Sequence, residues 1–229
     1  MAGALAEAGA TVVLVSRSSG SLRQAVAEIG GLGGRADFVA ADLADRGQLA
    51  RAADEIVGLV GAPDILVNAA AVNRRPPMAE LTIDDWDATL AINLTAPFLL
   101  GQRFGPTMAS RGFGRIINLG SQQTARAFGN SGAYGVSKAA IAGLTRSQAE
   151  AWSRQGVCAN TVVPGFVRTP MTEALFSTTD RADELAARTM VGRNGVPDDF
   201  GGVAVFLASE ASAQVTGQVL FVDGGFSVT

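Results

Sequence analysis

The 229-residue chain contains no histidine and a single cysteine, Cys158. Without histidine, the commonest metal ligand and the usual catalytic base at neutral pH are both missing. Metal hydrolysis and histidine triads are therefore poor readings, and no metal site is expected. A lone thiol excludes an intrachain disulfide and suits a reducing compartment. No apolar run approaches the ~18 residues of a membrane span, and the first ten residues lack a basic segment followed by an apolar core. The expectation is a cytoplasmic protein with no membrane partner. Basic charge is also short, with 18 Lys and Arg against 21 Asp and Glu and a sequence pI near 5.0. Nucleic acids and acidic membrane surfaces need a basic footprint, so the expected partner is a small molecule.

What is present suits an α/β domain. The chain is 48% hydrophobic and 17% charged, long enough for one well-buried unit spanning residues 1–229. Short β-branched runs alternate with segments of helical period, the pattern of strand-helix units in a parallel sheet. Strands are expected at Thr11 to Val15, Ala36 to Ala40, Asp64 to Val67, Arg115 to Leu119, Val157 to Val162 and Gln218 to Val222. Helices are expected at Met1 to Ala8, Ser21 to Ile29, Asp45 to Val60, Ile83 to Ala109, Ala133 to Ser153 and Pro197 to Ala208, the first closed by Gly9. The polar stretch 164–195 is irregular apart from an amphipathic piece around Ala182 to Met190, and reads as a mobile substrate lid.

The beginning is unusual for this class. A parallel α/β domain normally opens with a strand and a glycine-rich turn whose N–H groups bind a phosphate. This chain opens inside a helix. The run Gly30-Gly31-Leu32-Gly33-Gly34-Arg35-Ala36 contains G-x-G-x-x-A, but it follows a helix and leads into a strand, the reverse of dinucleotide binding. It reads as a helix cap and loop.

The residues that carry chemistry are Tyr134 and Lys138 in Tyr134-Gly135-Val136-Ser137-Lys138, with Ser121 upstream. Residues four apart share a helix face, so the lysine ammonium is expected beside the phenol, where a cation stabilises phenolate. Tyr134 is then a candidate general acid/base, and Ser121 would hold the substrate oxygen against it.

Together with these, further motifs resemble the classical short-chain dehydrogenase/reductase family across essentially the whole chain, most closely its gluconate 5-dehydrogenase and 3-oxoacyl-ACP reductase-like members. Asn93-Leu94-Thr95 matches the family's active-site asparagine, which anchors a proton-relay water. Asn68-Ala69-Ala70 resembles its Asn-Ala-Gly turn, with Ala70 in place of glycine. Pro164-Gly165-Phe166-Val167-Arg168-Thr169 resembles its Pro-Gly-x-x-x-Thr segment, and Asp223-Gly224-Gly225 its last strand end. The resemblance implies a Rossmann-like, doubly wound parallel sheet in three layers, binding a nicotinamide dinucleotide at the C-terminal strand ends. It also implies that the family's first strand and glycine turn are absent from this chain, that the natural protein carries roughly twenty more residues upstream, and that without them two inner strand edges are exposed and the sheet is parted.

By the same resemblance Lys138 binds the nicotinamide ribose, Pro164, Gly165 and Val167 line the cofactor, and Thr169 bonds the nicotinamide carboxamide. Asp42-Leu43 matches the adenine-contacting pair, although Asp42 also reads as an N-cap for the next helix. Cofactor choice rests on Ser16-Arg17-Ser18 at the end of the second family strand. An arginine between hydroxyls suits a 2′-phosphate, which favours NADP(H) over NAD(H). Arg74 and Arg75 resemble a basic pair in sugar-acid dehydrogenases and suit an anionic substrate, or are simply solvated. Gln122 and Gln123 suit a polyol, and with Phe128, Met171 and Phe176 they form a mixed pocket equally open to a 3-oxoacyl thioester. The expectation is an oxidoreductase acting on a secondary alcohol or ketone, assembled as a homo-oligomer, a tetramer or dimer, through the Asn93 and Tyr134 helices. The competing reading is a non-catalytic or cofactor-deficient scaffold of the same fold.

Overall fold

The computed structural model describes residues 1–169, 171–176 and 178–229. Its elements are α1 (Ala2–Glu7), β1 (Thr11–Ser16), α2 (Ser19–Gly31), β2 (Arg35–Ala40), α3 (Arg46–Val60), β3 (Ile65–Asn68), α4 (Ile83–Leu90), α5 (Ala96–Ser110), β4 (Gly114–Leu119), α6 (Gly132–Trp152), β5 (Val157–Pro164), α7 (Thr179–Ala187), α8 (Gly201–Ala208) and β6 (Val219–Val222). Every strand pairing among them is parallel. Parallel pairing needs helical crossovers, which is why strands and helices alternate along the chain.

The central strands β4 and β5 are buried almost throughout, as strands covered on both faces must be. Ile116 and Ile117 are adjacent and so point to opposite faces. Ile116 joins Ala53, Phe104, Met108 and Ala149 from α3, α5 and α6, while Ile117 joins Leu5, Ala204 and Leu207 from α1 and α8. The result is a doubly wound, three-layer α/β fold.

The sheet is parted as expected. β1 and β2 form one sheet, and β3-β4-β5-β6 form another. Between β1 and β3 lies a cavity of about 720 Å³.

Several boundaries differ from the sequence reading. The single helix expected over Ile83 to Ala109 is α4 and α5 joined by a widened π turn at Ala91–Thr95. Pro97 has no N–H to give the carbonyl four residues back, at Asn93, and so loosens the ladder there. The helix expected from Pro197 opens as a 3-10 turn at Pro197–Phe200 before α8. The stretch 164–195 is more ordered than its composition suggests. It holds a 3-10 turn at Glu173–Phe176 and α7, which Thr178 caps by accepting from the Arg181 N–H and which starts earlier than the amphipathic piece at Ala182. Within that stretch, Pro170 and Ser177 lie outside the described residues. The Gly30–Gly34 run is, as read, the end of α2 and the loop into β2.

One buried polar network ties the sheet to α6. Asn68 Nδ2 donates to Asn118 Oδ1 at 2.8 Å, and Asn118 Nδ2 donates to Thr145 Oγ1 and Gln148 Oε1, both at 2.9 Å. The Thr145 and Thr161 hydroxyls are 2.7 Å apart. Four elements, β3, β4, β5 and α6, are thereby held in one register. Asn118→Ala strands a donor on Asn68 and acceptors on Thr145 and Gln148 in a dry site, and is expected to cost about 3–5 kcal/mol. Urea unfolding should show this as a lower midpoint with an unchanged slope.

Candidate active site

The C-terminal ends of the parallel strands gather the candidate residues along one edge. Tyr134 and Lys138 lie in the first turns of α6 and are only 8% and 3% exposed. Ser121 follows β4, and its hydroxyl accepts from the Gln123 N–H at 3.3 Å, capping the turn Gln122–Thr124. That cap fixes the hydroxyl against the Tyr134 phenol, where it favours the ionised form.

The electrostatics differ from the sequence expectation. Lys138 Nζ donates to the Leu119 carbonyl at 2.6 Å and sits 5.8 Å from the centre of the Tyr134 ring, so its charge is spent on the end of β4 and not on the phenol oxygen. Burial pushes the Tyr134 phenol above its ordinary value, opposed by the Ser121 hydrogen bond and by the positive charge of Arg75. Burial also pushes Lys138 down, to about 8. Both side chains are drawn toward neutrality by the same dry environment. The cation acting on the phenol is Arg75.

Arg74 and Arg75 are neighbours with separate partners. Arg74 Nη1 pairs with Asp85 Oδ1 at 2.9 Å, on the first turn of α4, and is tied to that helix. Arg75 is pinned by the carbonyls of Asn130, at 3.0 Å, and Gly129, on the loop before α6.

Asn93 is 2% exposed, which excludes a solvent-facing helix asparagine. Its Oδ1 accepts from the Val72 N–H at 2.8 Å, and its Nδ2 donates to the Val72 carbonyl at 2.9 Å and to Ser137 Oγ at 3.0 Å. The π turn is thus fastened to the loop after β3 and to α6.

Around this group Gln122 Nε2 donates to Asp223 Oδ2 at 2.9 Å, while the buried Oε1 atoms of Gln122 and Gln123 have no hydrogen-bond partner among the described residues. Burial raises the Asp223 carboxyl, but hydrogen bonds from Ser227, Gln122 and Gly225 outweigh it and hold the group below its ordinary value. Phe128 packs edge-on to Phe166 and against Phe226, ring centres 6.1 and 6.5 Å away. Phe176 is buried under the Arg168 guanidinium, and Met171 is exposed.

Farther along the edge, Ser16 ends β1, Arg17 is exposed, and Ser18 caps α2 through the Ser21 N–H at 3.3 Å. Asp42 bonds the Ala44 N–H at 3.0 Å and does not cap α3. Asp45 does that, accepting from Gly47 and Gln48. Leu43 lines the cavity between the sheets, Asn68 ends β3, and Ala69 and Ala70 are exposed in the irregular segment after it. Pro164 ends β5. Gly165 passes so close to β6 that a Cβ would lie 2.8 Å from Asp223 Cα. Val167 bridges to Gly195, and the Thr169 hydroxyl lies 3.0 Å from that of Thr172, closing the turn at the start of the lid stretch.

Sequence reasoning missed Asn118, which sits in the middle of an expected strand, and Asn130 with Gly129, which fix Arg75. The positive φ of Asn130, 55°, is a local oddity that residue type alone hints at.

A family model described as enoyl-(acyl carrier protein) reductase matches residues 1–227. The chain belongs to the short-chain dehydrogenase/reductase family. A gluconate 5-dehydrogenase of Gluconobacter oxydans is 38% identical over 229 residues, covering 100% of this chain and 90% of its own length. A D-threitol dehydrogenase of Mycolicibacterium smegmatis is 37% identical, covering 100% and 87%. The crystal structure of a gluconate 5-dehydrogenase from Burkholderia cenocepacia, in complex with NADP and tartrate, superposes with a TM-score of 0.93 at 38% identity, covering 100% of this chain and 89% of that one.

The buried lysine of this short-chain dehydrogenase/reductase makes a stability prediction. The amine holds its proton less tightly in the fold, at about 8, than at its ordinary value of 10.5. Below 8 the fold bears the full cost of a buried charge; from 8 upward the unfolded chain binds more protons and native stability rises. Lys138→Met should therefore raise stability by about 1–3 kcal/mol at pH 7, the loss of the hydrogen bond to the Leu119 carbonyl offsetting part of the gain. The advantage should shrink between pH 8 and 10 in urea titrations, a window that ends before Tyr134 adds an opposite slope.

Proposed function

We propose that the chain is an NADP(H)-linked oxidoreductase that interconverts a secondary alcohol and a ketone on an anionic sugar acid, with Tyr134 exchanging the proton. The observation that carries this reading is Arg75, pinned by two backbone carbonyls and close enough to Tyr134 to act on its phenol. A fixed guanidinium whose charge reaches the phenol eases its ionisation, and with Nε and Nη2 given to backbone carbonyls it leaves Nη1 to pair with a carboxylate. The gluconate and threitol dehydrogenases among its relatives act, by their names, on sugar acids and polyols, and NADP occupies the solved gluconate 5-dehydrogenase.

The dinucleotide would lie along the strand-end edge. Lys138 has two further N–H donors beyond the one given to Leu119 and is available to the nicotinamide ribose. Pro164, Gly165, Val167 and Thr169 would line the nicotinamide end, Asn68, Ala69 and Ala70 the middle, and Ser16, Arg17, Ser18, Asp42 and Leu43 the adenosine end. The close approach of Gly165 to Asp223 keeps that wall free of a side chain, which fits a flat ring. When bound, the nicotinamide supplies or accepts hydride at the substrate carbon.

The chain's own part is the proton. In the oxidation direction the substrate hydroxyl, held by Ser121, gives its proton to the Tyr134 phenolate; in reduction the phenol returns it to the carbonyl oxygen. Asn93 positions α6 through Ser137. Gln122 and Gln123 bring unpartnered buried acceptors that suit substrate hydroxyls, with Phe128, Met171 and Phe176 in the same pocket. Residues 164–195 would act as its lid within one domain of 229 residues. The exposed Phe98 and Val136, on α5 and α6, support self-association through those helices.

Tyr134→Phe should lower turnover at least a hundredfold, about the low end of general acid/base contributions, while NADPH still binds. A non-catalytic scaffold would show no turnover to lose. Arg75→Ala should raise KM for gluconate about tenfold or more and leave threitol oxidation much less affected, whereas Arg74→Ala should spare both. Equal losses on the two substrates would remove the carboxylate assignment. Arg17→Ala should weaken NADPH and not NADH, read by fluorescence titration.

A further inference from the structure

Arg75 owes its place to a turn on another part of the chain. It lies in the irregular segment after β3, where Pro76 biases its backbone toward an extended form. The side chain meets the loop before α6. Nε donates to the Asn130 carbonyl at 3.0 Å, and Nη2 donates to the Gly129 carbonyl. These two nitrogens share one edge of the planar guanidinium, so the turn takes that edge. Both N–H groups of Nη1, and the second of Nη2, are left without an acceptor among the described residues.

The turn is closed on itself. The Ser131 hydroxyl accepts from the Phe128 N–H at 2.9 Å and donates to the Phe128 carbonyl at 2.7 Å, which ties residues 128–131 into a ring. Phe128 is fixed in turn by its side chain, packed against Phe166 and the fully buried Phe226. Asn130, with φ of 55°, is the one non-glycine residue with a positive φ among the described residues, and Gly132 follows at 47°. A left-handed residue on each side of Ser131 reverses the chain, and the carbonyls of Gly129 and Asn130 meet one guanidinium. Asparagine tolerates that region, whereas a β-branched residue does not. Asn130 is exposed, and what it gives Arg75 is its backbone carbonyl.

We propose that the turn 128–131 is the positioning element of Arg75, and that Asn130 and Ser131 act through it to set the preference for an anionic over a neutral sugar. The selectivity rests on the carboxylate reading of Arg75 given above; the positioning rests on the hydrogen bonds alone. A guanidinium on an untethered side chain samples many directions, and pairing it with a carboxylate then carries the entropy of fixing it. Held along one edge, it presents the other already oriented. Loosening the turn therefore weakens the binding of a carboxylate far more than that of a neutral polyol.

Asn130→Val cannot take the left-handed backbone without strain, Ser131→Ala opens the ring, and Asn130→Gly keeps the backbone path while removing the side chain. In the first two variants the Arg75 Nε–H, followed by heteronuclear NMR, should exchange with water about fivefold faster or more. KM for gluconate should rise about fivefold or more in the same variants, with KM for threitol changed by less than about twofold. Asn130→Gly should match the wild type in both measurements. Adding Asn130→Val to Arg75→Ala should raise KM for gluconate no further, since a residue that acts through another has nothing left to act on. Unchanged exchange in both disrupting variants, equal KM rises on gluconate and threitol, an Asn130→Gly variant as impaired as Asn130→Val, or a double variant whose effects add overturns the proposal. If the wild-type chain turns over no gluconate, the carboxylate reading and the selectivity fall together, and the exchange rates still decide whether the turn holds Arg75.

Discussion

The amide of Asn118 is the point on which the working edge of this protein depends. It is fully buried on β4, gives both N–H groups to α6 and takes one from Asn68 at the end of β3. In a dry interior each of these bonds is strong, and each unmade one is expensive. An apolar residue at 118 would let α6 slide or rotate along the sheet at little cost; the amide permits one register. Because Tyr134 and Lys138 ride on α6 and Ser121 follows β4, the same register sets the distance from hydroxyl to phenol. The π turn works toward the same end from the other side, with Asn93 bonding Ser137 of α6 and the backbone of Val72.

Charge at the site is managed by burial more than by pairing. A phenol and an amine four residues apart on a helix invite a picture of ammonium supporting phenolate, yet Lys138 gives its hydrogen bond to the Leu119 carbonyl, and both groups shift toward their neutral forms. The opposing field on the phenol comes from Ser121 and from Arg75, on a loop that enters from beyond β3. Acid/base capacity at this site is therefore assembled from three separate stretches of chain.

Spacing rules made Tyr134, Lys138 and Ser121 legible, because a helix face and a strand end are local geometries. The parted sheet was expected from the family resemblance, and β1-β2 and β3-β4-β5-β6 are two separate sheets. Asn118 was not, because a single polar residue in Arg115 to Leu119 looks like ordinary strand alternation until α6 is docked on it. Arg74 and Arg75 could not be told apart by sequence, for their directions are decided by Asp85 and by the carbonyls of Gly129 and Asn130, which are distant in the chain. Asp42 and Asp45 both suit a cap by residue type, and only the backbone path chose Asp45.

Lys138 is the only lysine of the chain and Tyr134 its only tyrosine; every other basic side chain is arginine. An absorbance change from a phenolate in this protein thus has one origin, and amine-directed chemistry has one side chain to find, besides the chain's amino terminus. Two residues that the fold hides from solvent are, for the spectroscopist, the two that nothing else in the molecule can imitate.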